Sequence, residues 1–345
     1  MIDEELRRAM SERAEALGFA RMGVAAVEAL EPEGARLRAW LSAGRHGSMA
    51  WMAEGEALRV DPRAGYLPSA KSVVVLVTPY ARAEGDVGPS PGVVARYARG
   101  RDYHNVVGRK ARKLADWLRT QGHVARAGTD SMPVYERAWA QRAGVGFIGK
   151  NCCLIVPGLG SHVFLSTVVT SAVLPADAPM PERCGACTRC LDGCPTAAFA
   201  APRELDARRC VSYLTIEHEG PIEPGLRAGI GTRIFGCDVC QDVCPFNRTA
   251  PPDPARTEAF APDLRWATHD AAALLTLDEA AFEAWAQGSP LRRAGRAGMA
   301  RNAALVLGHA GEKRHLPVLQ AAAHFDADAG VRDAAAWAVS QLSSR

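Results

Sequence analysis

Apolar residues recur at two different spacings in the first half of the chain. Spacings of three and four residues predict helices at about 3–17, 34–53, 104–121 and 134–143. Uninterrupted apolar and β-branched runs predict buried strands at 72–80, 152–156 and 162–171. Helices that alternate with buried strands indicate a layered domain of the α+β class, with α/β-like alternation, and we assign residues 1–180 to it.

The pattern changes after a proline-rich junction at residues 175–182. Eight cysteines then fall between Cys184 and Cys244, and we assign residues 181–250 to a second domain. The chain contains no run of about 18 apolar residues, so we expect no membrane span. Its first residues are charged and amphipathic, unlike an export signal, so we expect a cytoplasmic protein.

The last part of the chain, residues 251–345, is predicted to be a helical domain. From about residue 270 it is alanine-rich and shows only helical spacing. The stretches 300–311 and 331–342 can be aligned so that Arg301 matches Arg332, 31 residues later. This period is typical of stacked helix pairs, so we expect a HEAT-like repeat. A plain helical domain without repeats is the alternative.

Composition narrows the chemistry of the cysteines. The 345 residues are 48% hydrophobic and 23% charged with a net charge of +3, which is ordinary for a folded protein of two or three domains. In a reducing compartment, clustered cysteines favour metal ligation over disulfides. No G-x-G-x-x-G motif follows a strand and no P-loop is present, so a nucleotide cofactor has no local support.

The cysteine spacing predicts two iron–sulfur clusters. The run "CGACTRCLDGCP" has the C-x2-C-x2-C-x3-C-P spacing of bacterial two-cluster ferredoxins, in which the fourth cysteine ligates the other cluster. The run "GCDVCQDVCPFN" supplies only three cysteines, so the isolated Cys210 is the predicted eighth ligand. The first [4Fe–4S] cluster is assigned to Cys184, Cys187, Cys190 and Cys244, and the second to Cys194, Cys210, Cys237 and Cys240. Structural zinc is the alternative, but zinc sites show paired cysteines separated by a longer loop.

Two further cysteines, Cys152 and Cys153, lie outside this pattern in an apolar stretch and are predicted to be buried structural residues. In "RDYHNVVG", Asp102 and His104 nearly fit the cobalamin signature D-x-H-x-x-G. Val107 occupies the glycine position, so we predict that His104 starts a helix or packs rather than ligating cobalt.

Asp130 lies in the densest polar stretch of the N-terminal part, just before Pro133. One interpretation is that its side chain caps a helix that runs through Arg142. The other is that a carboxylic acid at a loop-to-helix turn beside a cavity donates a proton. The residues alone leave both open.

The chain resembles the epoxyqueuosine reductase family, cobalamin- and iron–sulfur-dependent enzymes of tRNA modification. The resemblance spans nearly the whole chain and includes the paired ferredoxin runs. The other segments that carry it are "VARYARGRDYH", "DSMPVYERAWAQRAGVGFIGKN", "YLTIEHEG", "IGTRIFGCDVCQDVCPFN" and "SPLRRAGRAGMARNAALVLG".

The resemblance implies that the N-terminal domain holds cobalamin and that the clusters pass electrons to it. The reaction would reduce epoxyqueuosine to queuosine at the tRNA wobble position. The family's proton donor maps onto Asp130, and we expect burial to raise its pKa. The implied cofactor contacts are Tyr97, Asp130, Leu154, Leu165, Ser212 and Asp238.

A basic segment at residues 291–315 carries six cations against one acid, Glu312. A solvated helix face is one interpretation, and contact with tRNA phosphates is the other. The segment "IEHEG" supplies His218 as an expected residue at the rim of the substrate pocket. With the basic segment, the predicted tRNA-binding residues are His218, Arg292, Arg293, Arg296 and Arg301.

Two alternative functions remain at this stage. The first is a reductive dehalogenase-like cobalamin enzyme acting on a small molecule, which would more often carry an export signal. The second is a non-catalytic ferredoxin-type electron carrier, which would leave the N-terminal half unexplained. The electron donor is not identified by the sequence, and we expect a monomer.

Overall fold

The computed structural model describes residues 3–83, 85–251 and 253–344, so residues 1, 2, 84, 252 and 345 of the predicted domains lie outside it. The helices are α1 (Glu4–Ala16), α2 (Glu31–Ser42), α3 (Glu56–Val60), α4 (Tyr103–Thr120), α5 (Glu136–Arg142), α6 (Arg189–Asp192), α7 (Val211–Ile216), α8 (Pro224–Ile230), α9 (Val239–Asp242), α10 (Pro245–Arg248), α11 (Pro254–Thr257), α12 (Ala271–Thr276), α13 (Glu279–Ala286), α14 (Gly295–Ala310), α15 (Leu316–Phe325) and α16 (Ala329–Ser343). The strands are β1 (Arg21–Ala26), β2 (Ser72–Pro79), β3 (Val93–Val94), β4 (Ala125–Gly128), β5 (Phe147–Ile148), β6 (Leu154–Ile155), β7 (Val163–Thr170), β8 (Phe199–Ala201), β9 (Glu204–Leu205) and β10 (Arg233–Phe235).

A four-stranded sheet with the order β1–β2–β7–β4 organises the N-terminal part. Alternate residues of β2 enter two cores: Val74 and Leu76 pack with α1 and α4, whereas Val73 and Val75 pack with Trp139 of α5. Every strand pair in this sheet is antiparallel. The mixed helix and sheet class is therefore confirmed, but the α/β-like arrangement is wrong. Burial on both faces makes β2 uniformly apolar, which the sequence cannot distinguish from a parallel strand.

Helix α2 ends eleven residues before the predicted boundary at 53. Gly44 adopts a left-handed φ of 65°. Its N–H donates to the Leu41 carbonyl at 2.9 Å, and the Arg45 N–H donates to the Trp40 carbonyl at 3.2 Å. This is a Schellman ending, in which the glycine and two reversed hydrogen bonds close the last turn. Apolar residues keep the helical spacing beyond Gly44, but the helical backbone ends before it.

The cysteine segment and the C-terminal helices share one core. Tyr213 and Leu214 of α7, Ile234 of β10 and the buried face of α14 belong to the same cluster of apolar side chains. Asn302 of α14 donates to the carbonyls of Thr215 and Ile234 at 2.8 and 2.9 Å. Residues far apart in the chain are therefore held together by buried polar bonds as well as by packing.

Helices α14, α15 and α16 pack against one another at the C-terminal end. Arg301 is 2% exposed and donates to the carbonyls of Leu214, His218 and Gly220. Arg332 instead donates to the carbonyls of Asp326 and Ala327 at the start of α16. The two arginines that align in sequence have different environments, and the HEAT-like repeat stays a prediction. Within the described part of the chain, no helix has the length and apolar character needed to cross a membrane.

Candidate active site

Asp130 lies in the loop between the edge strand β4 and α5, and its backbone is left-handed with a φ of 58°. This conformation, which Asp tolerates better than most residues, turns the carboxylate toward α4. The carboxylate accepts the hydroxyl of Tyr103, and its Oδ2 lies 3.7 Å from Nε2 of His104. Helix α5 begins after Tyr135 without a side-chain capping bond. The capping interpretation of Asp130 is therefore wrong.

His104 is the second residue of α4, and Asp102 fixes its orientation. The Asp102 Oδ1 accepts from the His104 backbone N–H at 2.9 Å and lies 2.8 Å from its Nδ1. The imidazole stacks on the Tyr103 ring at 4.1 Å between centroids. The Asp102 carboxylate, followed by that of Asp130, raises the pKa of His104 to about 9. The predicted helix-start role is confirmed, but the ring is also a cation facing Asp130.

The pKa of Asp130 differs from the expectation. Burial raises it, as expected, but the interactions with His104 and Tyr103 outweigh burial and hold this pKa below its ordinary value. The expected net rise is therefore wrong for this structure. The side chain of Asp130 is 61% exposed, so its carboxylate is open to solvent beside Tyr103 and His104. At neutral pH the proton of this pair resides on His104.

Glu136, the first residue of α5, is a further acid in this site. Its Oε1 accepts the backbone N–H of Asp130 at 2.9 Å. Burial, and then the negative charge of Asp130, raises the pKa of Glu136 to about 8. A mostly neutral carboxyl therefore lies behind the Asp130 loop. The segment "RDYH" could have indicated that Asp102 and Tyr103 lie beside His104 in the site. Nothing in the local sequence indicates that Glu136 belongs to it.

Tyr97 connects this acid cluster to the cysteine segment. Its ring centroid lies 6.1 Å from that of Tyr103 and 6.2 Å from that of Phe235. Burial, and then the charges of Asp130 and Asp238, raise the pKa of Tyr97 far above its ordinary value. Asp238 follows the cluster cysteine Cys237 and accepts the backbone N–H of Arg96 at 2.7 Å. Tyr97 and Asp238 thus lie between the predicted acid and the second cysteine set.

The remaining predicted cofactor contacts lie in two places. Leu154 and Leu165 pack in the same apolar cluster as Met132 and Tyr135, which belong to the loop that follows Asp130. The backbone N–H of Ser212 donates to the sulfur of Cys210. Leu154 and Leu165 are therefore near the Asp130 loop, and Ser212 is next to the second cysteine set.

Four of the cysteines line one pocket. Cys184, Cys187, Cys190 and Cys244 surround it, together with Lys150 and other residues. Burial, followed by the charges of Cys184, Cys244 and Cys187, raises the pKa of Cys190. This is the grouping that the spacing predicts for the first cluster, and four thiols around one pocket fit such a group.

The other four cysteines also interact with one another. Burial raises the pKa of Cys210, and the charges of Cys237 and Cys194 add to this. Cys240 interacts with Cys210 and Cys237 in the same way. The Ala198 N–H donates to the Cys194 sulfur at 3.3 Å, a type of bond that tunes cluster potentials. Within residues 3–83, 85–251 and 253–344, no group of three or more His, Cys, Asp or Glu side chains is arranged to hold a single metal ion.

Cys152 and Cys153 are half-buried rather than fully buried. Cys152 has a left-handed φ of 64°, so the strand predicted at 152–156 begins only at Leu154. Val156 follows with an isolated antiparallel bridge to Gly160. Cys153 contacts the thiol of Cys240. It is therefore a neighbour of the second cysteine set, which its position in the sequence did not indicate.

The predicted RNA-binding arginines differ in exposure. The side chains of Arg292 and Arg293 are 57% and 56% exposed and pair with Glu283 and Glu217. Arg296 is held by Asp326 and is only 18% exposed. Arg301 cannot reach a phosphate because it is buried and bonded to carbonyls, so its predicted RNA contact is wrong. The imidazole of His218 lies 2.9 Å from the Pro221 carbonyl.

Comparisons with known proteins agree with this site. A family model described as a 4Fe-4S double cluster binding domain matches residues 183–247, and one described as epoxyqueuosine reductase QueG matches residues 59–131. The epoxyqueuosine reductase of Gloeobacter violaceus is 42% identical over 87% of this chain and 95% of its own length. The chain belongs to the epoxyqueuosine reductase family.

Other members of the family support the same assignment. The epoxyqueuosine reductase of Xanthomonas campestris pv. campestris is 43% identical over 94% of this chain and 92% of its own length. A crystal structure of epoxyqueuosine reductase with a tRNA-Tyr epoxyqueuosine-modified stem loop superposes with a TM-score of 0.90. It is 32% identical and covers 98% of this chain and 90% of that one. The chain is thus an oxidoreductase family member with an iron–sulfur cluster domain.

Proposed function

We propose that this chain reduces epoxyqueuosine to queuosine at the wobble position of tRNA, with Asp130 as the proton donor. The observation that carries the proposal is the contact of Tyr103 and His104 with the solvent-exposed carboxylate of Asp130, with Tyr97 and Asp238 between this cluster and the cysteines. Membership of the epoxyqueuosine reductase family supports the substrate.

Removing the epoxide oxygen as water and leaving a carbon–carbon double bond consumes two electrons and two protons. Two [4Fe–4S] clusters and cobalamin, when bound, would supply these electrons one at a time. The eight clustered cysteines would hold the clusters. Tyr97, Leu154, Leu165, Ser212 and Asp238 would contact cobalamin, which is supported by their positions near the Asp130 loop or the second cysteine set.

The chain's own residues would supply the protons. Asp130 would protonate the departing oxygen, because expelling an alkoxide without a proton is slow and a positioned acid contributes about 10²–10⁴-fold. The carboxylate is ionised in this structure, so it must first receive a proton. His104, at 3.7 Å, holds that proton below a pH of about 9, and Tyr103 bridges to the same carboxylate.

The wider organisation is part of the proposal. A cobalamin-binding and catalytic domain would span residues 1–180, a two-cluster domain 181–250 and a HEAT-like tRNA-binding domain 251–345. Arg292, Arg293 and the rim residue His218 would face the tRNA, and Arg296 and Arg301 would hold that surface from behind. The chain would act as a cytoplasmic monomer with an unidentified electron donor.

One experiment separates this function from its alternatives. The protein is reconstituted anaerobically with iron, sulfide and cobalamin and incubated with epoxyqueuosine-containing tRNA and a chemical reductant, and the nucleosides are then analysed by mass. We expect queuosine to form and about one corrinoid to be bound per chain. A bound corrinoid without queuosine, but with dehalogenation of small haloaromatics, would favour the dehalogenase-like alternative. No bound corrinoid would favour the electron carrier.

A further inference from the structure

An exposed tryptophan lies between two arginines near the acid cluster. Trp51 belongs to a short 3₁₀ turn, Ala50–Met52, and 43% of it is exposed. The guanidinium carbon of Arg59 lies 5.7 Å from the centre of its ring, and that of Arg293 lies 6.0 Å from it. Both guanidinium groups lie over the ring, yet part of the ring is open to water. Proteins that bind single-stranded nucleic acid combine such exposed aromatic rings, on which bases stack, with cation–π contributions from arginine.

Arg59 differs from Arg293 in its partners. Arg293 is held by the carboxylate of Glu217 at 2.7 and 2.9 Å, so its charge is compensated. Arg59 donates to the Trp51 carbonyl at 3.0 Å, but its Nε is buried without a hydrogen-bond partner. No carboxylate of the described residues forms an ion pair with Arg59. A cation without such a counter-charge is suited to a phosphate.

The segment that carries Trp51 and Arg59 approaches the loop that follows Asp130, because a Cβ added at Gly55 would lie 3.9 Å from the Cβ of Pro133. The positive charge of Arg59 acts on Tyr135, in the loop that follows Asp130, and opposes the effect of burial on the pKa of this phenol, which nevertheless rises to about 12. Arg293 interacts electrostatically with Asp130 and Tyr103. A substrate nucleotide at Asp130 would therefore have neighbours within reach of Trp51.

We propose that Trp51 and Arg59 bind an unpaired nucleotide of the anticodon loop next to the modified one, with the Trp51 ring stacked on its base and the Arg59 guanidinium on its phosphate. The inference rests on the proposed function, because it assumes a tRNA substrate. An enzyme that extracts one base from its stack leaves the adjacent bases without a partner, and an aromatic ring replaces the lost stacking.

The test uses the reconstituted protein and a fluorescently labelled anticodon stem loop with guanine at the wobble position. Binding is measured by anisotropy at several salt concentrations for Trp51→Ala, Trp51→Phe and Arg59→Ala. We expect Trp51→Ala to weaken binding about 5- to 100-fold with an unchanged salt dependence, and Trp51→Phe to keep most of the affinity. Arg59→Ala should lower the slope of log K against log salt by about 0.7, the value for one phosphate of a single strand.

A second pair in the same chain provides matched controls. Arg13 lies 5.8 Å from the ring of Trp117, nearly the geometry of Arg59 and Trp51. Trp117 is 13 residues along α4 from His104, which corresponds to about 20 Å of helix. Arg13→Ala and Trp117→Ala should leave stem-loop affinity within about twofold, and thermal unfolding of all variants shows whether each one is folded.

Stem loops with a single abasic position identify the occupant. If the Trp51 ring stacks on a base, the penalty of Trp51→Ala disappears for the loop that lacks this base and persists for the others. Wild-type affinity of Trp51→Ala, or a penalty that is the same on every abasic loop, would overturn the stacking. An unchanged salt slope in Arg59→Ala would overturn the phosphate contact. These outcomes differ from failure of the proposed function, in which the wild type itself forms no queuosine.

Discussion

His104 and Asp130 face each other at 3.7 Å, and the proton of the pair lies on the imidazole. Asp102 Oδ1 lies 2.8 Å from the other ring nitrogen, Nδ1, so each imidazole nitrogen faces a carboxylate. This arrangement stores a proton beside the residue that would deliver it. It also means that the donor is charged before the substrate enters, and that desolvation by a bound substrate is what would transfer the proton to Asp130.

Replacing Asp130 with asparagine should abolish most of the turnover. The amide cannot donate an acidic proton, so we expect queuosine formation to fall about 10²-fold or more, while iron content and bound corrinoid stay at wild-type levels. Asp116→Asn is the matched control, because Asp116 is an exposed acid paired with Arg119. Turnover is measured by nucleoside mass analysis. A fully active Asp130→Asn variant would remove the assigned role.

The pH dependence of turnover should report His104. Its raised pKa, about 9, means that the proton reservoir is full below this pH and empties above it, so the rate should fall through an alkaline limb near pH 9. Asp102→Asn removes the largest cause of the rise, so the limb should move toward the ordinary histidine value of about 6.5. Rates are measured under single-turnover conditions. If the alkaline limb of the pH–rate profile stays near pH 9 in Asp102→Asn, the limb reports a group other than His104.

Glu136→Gln should stabilise the protein at alkaline pH. The pKa of Glu136 is about 8 in the folded protein against an ordinary 4.5, because burial and Asp130 oppose its ionisation. The folded state therefore loses stability as the pH rises from about 4.5 to 8. Glutamine does not ionise and can still accept the Asp130 N–H. We expect the variant's advantage in free energy of unfolding to grow over this range and to level off above it. A difference in unfolding free energy between Glu136→Gln and the wild type that does not change with pH would contradict the raised pKa of Glu136.

Arg301 and Arg292 should separate stability from RNA binding. Arg301→Leu leaves the carbonyls of Leu214, His218 and Gly220 without a donor, so we expect it to cost about 2–4 kcal/mol of unfolding free energy. Arg292→Ala removes an exposed cation and should change stability by less than about 0.5 kcal/mol. It should instead weaken stem-loop binding and flatten its salt dependence. Urea unfolding and binding titrations measure the two effects. An Arg292→Ala variant with the wild-type salt slope would exclude this residue from the RNA surface.

Cys210→Ser should remove one cluster and spare the other. Cys210 interacts with Cys237 and Cys194, so its loss should roughly halve the iron bound per chain after anaerobic reconstitution. Cys152→Ser is the control, because Cys152 lies outside both sets, and it should bind as much iron as the wild type. Equal iron content in Cys210→Ser and the wild type would show that the eighth ligand lies elsewhere.

Features with local causes could be predicted from the sequence, and those that depend on distant partners could not. The grouping of the first cysteine set could be predicted from the ferredoxin spacing, in which the last cysteine of each run joins the other set. The role of His104 did not follow, because Asp130 is 26 residues away and meets it only through the left-handed turn. Arg301 has the sequence context of a surface cation. The buried carbonyls that engage it belong to another part of the chain.

The bonds from Arg301 and Asn302 to the cysteine segment have a practical consequence. Anyone who wished to transplant the electron-transfer module into another scaffold could not cut the chain after residue 250. The severed piece would expose the apolar side of α7 and β10 and leave the carbonyls of Leu214, Thr215 and Ile234 open to solvent. A graft would have to carry α14 along with it.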